Sequence, residues 1–402
     1  MVPEGWQDSL LDNVARRASG HTPDKTYAEY WDGGVKWVSL ADSRNLDKGL
    51  ISKTDKEISA RGIQKSSAVL LPAGTVVLSR DAGVGKSAII ASEMAVSQHF
   101  IAWVCEEKDK LDKWFLYYWL QMKKPLFERM AVGSTIKTIG LPFFKKLRIV
   151  HPPLSEQKKI AEILLTWDKA IETTEALLAN ARTQKRALMQ SLLTGTRRFP
   201  GFDGKPWREV RLDRLIDLNP SLNVCPIDGK LTFLPMDAVS EEGEIVTPRE
   251  GSYFSDLKGF TAFKDGDLLV AKITPCFENG KGCHARDLVN GVGTGSTEFH
   301  VLRPKIETDV RFIFHLINSH PFRERGRLNM QGSAGQQRVP SDFVRSYRWT
   351  VPSSPEERAA IGAAIDCATE EVEHWKRHLD HLRTEKKSLM QQLLTGKRRV
   401  LV

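Results

Sequence analysis

Arg182-Thr-Gln-Lys-Arg-Ala-Leu-Met-Gln-Ser-Leu-Leu-Thr-Gly195 closes one leucine-spaced segment, and Arg383-Thr-Glu-Lys-Lys-Ser-Leu-Met-Gln-Gln-Leu-Leu-Thr-Gly396 closes another. The two glycines lie 396 − 195 = 201 residues apart, half of a 402-residue chain. A repeat of that length is too long for a solenoid unit and implies duplication of a whole domain followed by a helix.

Working back from Gly195, Ile160, Leu164, Trp167, Ile171, Leu178, Ala181, Leu188 and Leu192 fall at spacings of four and three once Thr174 and Lys185 are included. The second copy places Ile361, Ile365, Ala368, Val372, Trp375, Leu379, Leu382, Lys386, Leu389 and Leu393 in the same register. An apolar stripe held for more than four heptads predicts a coiled-coil seam. Ser354-Pro-Glu-Glu357 predicts a capping box with Pro at the first helical position, and Ser155-Glu-Gln157 a weaker version. Gly195 and Gly396 stand where C-terminal caps belong. A helix from Ser155 to Leu193 would run roughly 58 Å at about 1.5 Å per residue. Lys185 and Lys386 share one seam position. Each either fixes register at a cost in stability or lays its stem along the seam with the ammonium in water.

The formal charge is +9 and 41% of residues are hydrophobic, which supports several sizeable cores. Residues 1–201 carry 30 basic and 22 acidic groups, a net of +8, whereas residues 202–402 carry 29 and 28, a net of +1. A basic surplus points to a polyanionic partner. Five cysteines at 105, 225, 276, 283 and 367 form no C-x-x-C pair, which argues against zinc, although Cys276, Cys283 and His284 come nearest to a cluster. No signal peptide and no long apolar run are evident, so no membrane is expected and a reducing cytoplasm fits.

Four segments follow: a first globular domain at 1–153, a long helix at 154–198, a second domain at 199–352 and a second helix at 353–402. Val35 to Leu40 and Gly74 to Ser79 are predicted strands of the first domain, Asp112 to Met122 an aromatic-rich buried helix, and Leu147 to Val150 a strand. Gly133-Ser-Thr-Ile-Lys-Thr-Ile139 is predicted as a polar, glycine-led turn running into a strand. The second domain repeats the plan: Pro206-Trp207 answers Gly5-Trp6, Leu231 to Asp237 answers Lys36 to Asp42, and Gly266 to Lys272 answers Gly74 to Arg80. Val310 to Ile317 answers the aromatic helix, and Gly332-Ser-Ala-Gly-Gln-Gln-Arg-Val-Pro340 stands where Gly133 to Gly140 stood. The helices are close copies while the domains keep only a framework. That is expected if each domain reads something different and the helices do a common job.

Several motifs tempt a catalytic reading. Asp81-Ala-Gly-Val-Gly-Lys-Ser87 resembles the end of a phosphate-binding loop, but the earlier Gly of that pattern is Arg80, so a glycine turn after a strand is the expectation. Asn219-Pro220-Ser221-Leu222 lacks the second Pro and the aromatic of the N-P-P-[FY] motif of amino-methyltransferases. His374, His378 and His381 share a helix flank, where the first copy has Thr173, Leu177 and Asn180, so solvated side chains are expected rather than metal ligands. No nucleophile–base set or carboxylate pair comes with a motif behind it. The two glycine-led turns differ: Gly, Ser, Thr, Gln, Lys and Arg on strand-held loops can read base edges and grip phosphates.

On these residues the chain resembles the DNA-specificity subunits of type I restriction-modification enzymes. The likeness runs over essentially the whole chain and is carried by the two domain-plus-helix modules, by Pro152-Pro-Leu-Ser-Glu-Gln157 and by Gly133-Ser-Thr-Ile-Lys137. The second copy departs from it at Pro352-Ser-Ser-Pro-Glu-Glu-Arg358 and in its loop. The resemblance implies a non-catalytic subunit whose two target-recognition domains each read half of a split target in double-stranded DNA. It further implies helices that dock two methyltransferase subunits, with nuclease/translocase subunits joining that assembly. No cofactor is expected on this chain; S-adenosylmethionine, ATP and Mg²⁺ belong to the partners.

The expected fold is α+β: two similar α/β domains in tandem, each followed by a long helix. The first helix must deliver the chain to the second domain and the second helix must return, so the pair is expected to form an antiparallel coiled coil with pseudo-two-fold symmetry. Candidate DNA contacts are Arg80, Lys86, Ser134, Thr135 and Lys137 in the first domain, and Lys272, Lys281, Ser333, Gln336, Gln337 and Arg338 in the second. A coiled-coil scaffold whose domains bind proteins is the alternative. It predicts DNA association insensitive to salt, whereas phosphate-driven binding weakens steeply with salt.

Overall fold

The computed structural model describes residues 2–222, 226, 228–253, 259–333 and 335–401; Cys225 and Ala334 lie outside them. The chain forms two compact units, Met1–Glu175 with His378–Val402, and Ala176–Arg377. Each unit therefore holds one globular domain, half of one long helix and the opposite half of the other.

In the first unit Arg16–Ser19, Phe100–Val104, Val76–Ser79, Ser87–Ile90 and Leu50–Ile51 make a five-stranded sheet in that order. Its pairs are antiparallel except the last. Lys56–Ile58, Trp31–Val38 and Ala95–Val96 make a second sheet, and Gln7–Leu10 pairs with Arg148–His151. The aromatic helix spans Lys113–Met130, longer than its apolar pattern predicts, with Pro125 inside it. Asp112 caps it, its carboxylate accepting the Trp114 and Phe115 N–H groups at 2.9 Å. Beyond Met122 the helix is held by fully buried Phe127 and by Lys124, which pairs with Asp47 at 2.7 Å. These anchors offset the backbone bond that Pro removes.

The second unit repeats the plan. Ile216–Leu218, Phe299–Pro304, Leu268–Ala271 and Gly282–His284 form one antiparallel sheet. Arg249–Ser252, Lys230–Leu234, Val292–Gly295 and Thr261–Lys264 form another, and Trp207–Arg211 pairs with Arg348–Pro352. The predicted second-domain helix is found at Val310–Ile317. The two units share a parallel pair at the same place, Trp31–Val38 with Ala95–Val96 and Lys230–Leu234 with Val292–Gly295.

The long helices run Leu154–Leu193 and Pro355–Leu393. Within the first unit Glu156 pairs with Arg399 at 2.7 Å, Asp168 with Lys386, and Glu175 with Arg383 at 2.7 Å. One number rises as the other falls, so the halves are antiparallel. Within the second unit Arg198 forks onto Glu357 at 2.8 Å, and Leu188 and Leu192 join Ile361 and Ile365 in one core. Glu156–Arg399 and Glu357–Arg198 are the same pair displaced by 201 residues (156 + 201 = 357; 198 + 201 = 399). Each arginine also lies 5.9 Å from a tryptophan ring, Trp6 in the first unit and Trp207 in the second.

The predicted seam residues Ile160, Leu164, Trp167, Ile171, Leu178, Leu188 and Leu192, and Ile361, Ile365, Val372, Trp375, Leu379, Leu382, Leu389 and Leu393, are all buried or half-buried. The ends of the seam have a second task. Ile160, Leu164, Leu393 and Leu394 belong to the core of the first domain, and Leu192, Leu193, Ile361 and Ile365 to that of the second. Lys386 pairs with Asp168 and lies 5.1 Å from the Tyr118 ring, whereas Lys185 is half-buried and burial lowers its pKa.

Some end signals differ from expectation. The first helix starts at Leu154, which places Ser155 inside it rather than at its cap. Ser354 does accept the Glu357 N–H at 3.4 Å, but the Glu357 carboxylate accepts from Arg198 and Trp207, so the return half of the capping box is not made. Gly195 and Gly396 close the helices with φ of +73° and +69° as expected.

Candidate nucleic-acid interface

A loop leaves each unit at the same point of its framework. In the first unit Val132 and Thr138 exchange both backbone hydrogen bonds (3.1 and 2.9 Å) and close Gly133–Lys137 into an exposed loop. In the second, Gln331 and Arg338 do the same (2.9 and 2.8 Å) around 332–337. Neither loop runs into a strand as expected; each is held by isolated bridges, and Leu141–Lys145 and Ser341–Ser346, short helices, follow. The leading glycines explain the closure. Gly133 has φ +132° and a Cβ there would sit 2.2 Å from the Ile136 carbonyl oxygen; Gly332 has φ +123° and the corresponding distance to the Gln336 oxygen is 2.8 Å. A side chain at either position is strained and crowded.

Both loops stand on a basic residue at the end of the central strand. Arg80 accepts the Ile139 N–H at 3.0 Å, and Lys272 accepts the Val339 N–H at 2.8 Å, each through its carbonyl. Arg80 in turn donates its N–H to His99 (2.9 Å) and Lys272 to Glu298 (2.8 Å). The stems are thus equivalent, and their side chains are not. In the first unit the Asp81 carboxylate bonds the His99 ring at 2.7 Å and lies 3.6 Å from the Arg80 Nε. In the second, Arg338 donates from Nε and Nη2 to the Glu298 carboxylate at 2.8–3.1 Å. The hydrogen bonds from Arg338 hold the Glu298 carboxyl below the usual carboxylate range against the opposing effect of its burial.

The candidates divide accordingly. Ser134, Thr135 and Lys137 are exposed on the first loop, and Ser333 and Gln336 on the second, whereas Gln337 is half-buried and its backbone carbonyl accepts the Thr274 N–H at 2.9 Å. Arg80 and Lys272 lie half-buried beneath the loops. Lys86 and Lys281 are engaged internally: the first donates to Ser43 Oγ at 2.9 Å and its carbonyl at 3.1 Å, the second to the Met236 carbonyl at 3.3 Å. His99 and Glu298 were not among the candidates. A signal for them exists, since Ser97-Gln-His-Phe100 and Ser296-Thr-Glu-Phe299 repeat as Ser-x-x-Phe at the start of equivalent strands.

The segment resembling a phosphate loop is a hairpin turn between antiparallel Val76–Ser79 and Ser87–Ile90, with no helix following it. Asn219 serves the sheet instead of a base, donating its N–H to the Val301 carbonyl at 2.7 Å and accepting the Val301 N–H at 2.9 Å. Among the described residues no His/Cys/Asp/Glu group is arranged to hold a metal ion, and no helix is long and apolar enough to cross a membrane. Burial pushes the Cys105 and Cys283 thiols up to about 12, which leaves them unreactive.

Residues 3–181 match the family model described as a type I restriction modification DNA specificity domain. The type I restriction enzyme EcoEI specificity subunit of Escherichia coli is 36% identical over 158 residues, covering 39% of this chain and 27% of that protein. The EcoAI specificity subunit of Escherichia coli is 32% identical over 240 residues, covering 57% of this chain and 40% of that protein. These matches therefore span well under half of either relative. The crystal structure of the S subunit of a type I restriction-modification system from M. genitalium superimposes with a TM-score of 0.57 at 14% identity, covering 98% of this chain and 96% of that one. At that identity the likeness speaks for the fold.

Proposed function

We propose that the chain is a type I restriction-modification specificity subunit, a reading supported by the match of residues 3–181 and by the likeness to the EcoEI and EcoAI subunits, and that it reads an asymmetric, two-part DNA target, one half-site per unit. It carries no catalysis of its own. Its helices dock two methyltransferase subunits, through which nuclease/translocase subunits join. The methyl donor S-adenosylmethionine, and the ATP and Mg²⁺ of the other subunits, are held by those partners.

The observation that supports this best is the pair of loops: one frame, two chemistries. Ser, Thr and Lys project from the first, Ser and Gln from the second. Hydroxyl, amide and cationic groups are those that distinguish base edges and neutralise phosphates. The different stems, His99–Asp81 and Arg338–Glu298, supply a physical reason for the two half-sites to differ.

Gel-shift titration across a salt series tests the reading. Lys137→Ala is expected to weaken binding of duplex DNA several-fold and to flatten the log–log salt slope by about 0.9, the share of one phosphate contact. Unchanged affinity and slope would remove Lys137 from the interface. Gly133→Ala is expected to cost more binding than Lys137→Ala while leaving the melting temperature within a few degrees, because only an exposed loop must rearrange. A Gly133→Ala protein that binds like the parent would show that the loop conformation is not used.

A further inference from the structure

We propose that Glu298 is a positioning residue that makes Arg338 a base reader rather than a phosphate clamp. The inference rests on the DNA-reading function proposed above. The Glu298 carboxylate takes the whole Nε–Nη2 side of the guanidinium, with three contacts of 2.8–3.1 Å. What remains is the Nη1 end, which donates to the Gln336 carbonyl at 3.3 Å, the longest bond of the set. The arginine side chain is 44% exposed and that of Glu298 23%, so the cation faces solvent with the carboxylate behind it.

Phosphate binding is driven by net charge and counterion release. A guanidinium already forked onto a carboxylate forms a nearly neutral pair and contributes little to that. Its outward N–H groups keep their direction, and the ordering of a long side chain is already done before DNA arrives. A directional donor of low net charge suits the O6 and N7 acceptors that guanine presents in the major groove, reached through the Nη1–Nη2 end. Exchanging the 3.3 Å bond to Gln336 for a base costs little. The first unit also sets an acid at its loop stem, but there Asp81 orients a histidine, so the two loops need not accept the same base.

The test uses the full-length chain assembled with its modification subunits. Its target is selected from a randomised duplex library, then each single-base variant of the selected duplex is titrated across a salt series. For Glu298→Gln we expect discrimination at one position of one half-site to fall about tenfold, within the range of a lost bidentate contact. Affinity for unrelated duplex should rise and the salt slope steepen by about 0.9, as the freed cation finds a phosphate. Arg338→Lys should lose the same discrimination without the steeper slope, and Glu298→Asp should restore part of it. A Glu298→Gln protein with discrimination and slope both unchanged, or with affinity lost uniformly for every sequence, would overturn the inference. A parent protein that selects no sequence would instead overturn the functional reading beneath it.

Discussion

A chain ended after Arg377 is expected to lose the fold of its first domain, some two hundred residues away in sequence. The missing segment supplies Leu393 and Leu394, 1% and 2% exposed, to the core that also holds Trp103, Phe115 and Tyr118. It supplies Arg399, whose loss leaves the Glu156 carboxylate, 4% exposed, without its partner. Removing a buried leucine costs about 2–5 kcal/mol, and stranding a buried charge adds a further few. The sum rivals the ~5–15 kcal/mol that holds a whole domain together. Near-ultraviolet circular dichroism should lose most of the signal of the first domain's tryptophans. Proteolysis should spare a fragment corresponding to Ala176–Arg377. A truncated chain that melts like the intact one would show that the C-terminal segment is not part of the first unit.

The second large effect is expected at Asp309. Its carboxylate accepts from Arg358 Nε at 2.8 Å, with side chains 1% and 6% exposed, and Arg358 also donates to the Pro352 carbonyl at 2.7 Å. Asp309→Ala leaves a guanidinium buried and half-satisfied, at a cost of about 3–5 kcal/mol. The urea midpoint of the second unit should fall accordingly, and replacing both residues by apolar ones of similar size should recover much of the loss. Lys376→Ala provides the contrast. Its pair with Glu242 is 3.7 Å apart and exposed, so its loss should change stability by less than ~1 kcal/mol. An Asp309→Ala midpoint no lower than that of Lys376→Ala would contradict the assignment. The first unit does the same work without charge: Gln157, the counterpart of Arg358 (157 + 201 = 358), donates to the Pro152 and Lys110 carbonyls and accepts the Asp112 N–H.

What could be read from the chain alone follows from how local each signal is. Heptad spacing, a terminal glycine and an aspartate before an aromatic run act within a few residues, so the long helices, their caps at Gly195 and Gly396 and the aromatic helix were all legible. The loops were legible because their glycines perform a local task. Charge partners are not local. Glu357 sits at the right spacing for a capping box, yet its carboxylate is taken by Arg198, 159 positions away. Lys86 and Lys281 look like free cations until the fold brings Ser43 and the Met236 carbonyl to them. Arg338 is plain as a cation in the sequence, but Glu298, 40 positions away, decides what that cation can do. The seam residues at the helix ends were recognised as apolar, while their membership in the domain cores depends on the return of the chain.

The central claim is that two alike frames with unlike loops read two different half-sites. Mapping every methylated position in DNA modified by the assembled complex tests it most directly. One asymmetric motif of two unlike specified blocks separated by unspecified bases is the predicted result, and exchange of residues 1–153 for those of a relative should change one block alone. A palindromic or uninterrupted motif, or a change in both blocks on that exchange, would contradict it.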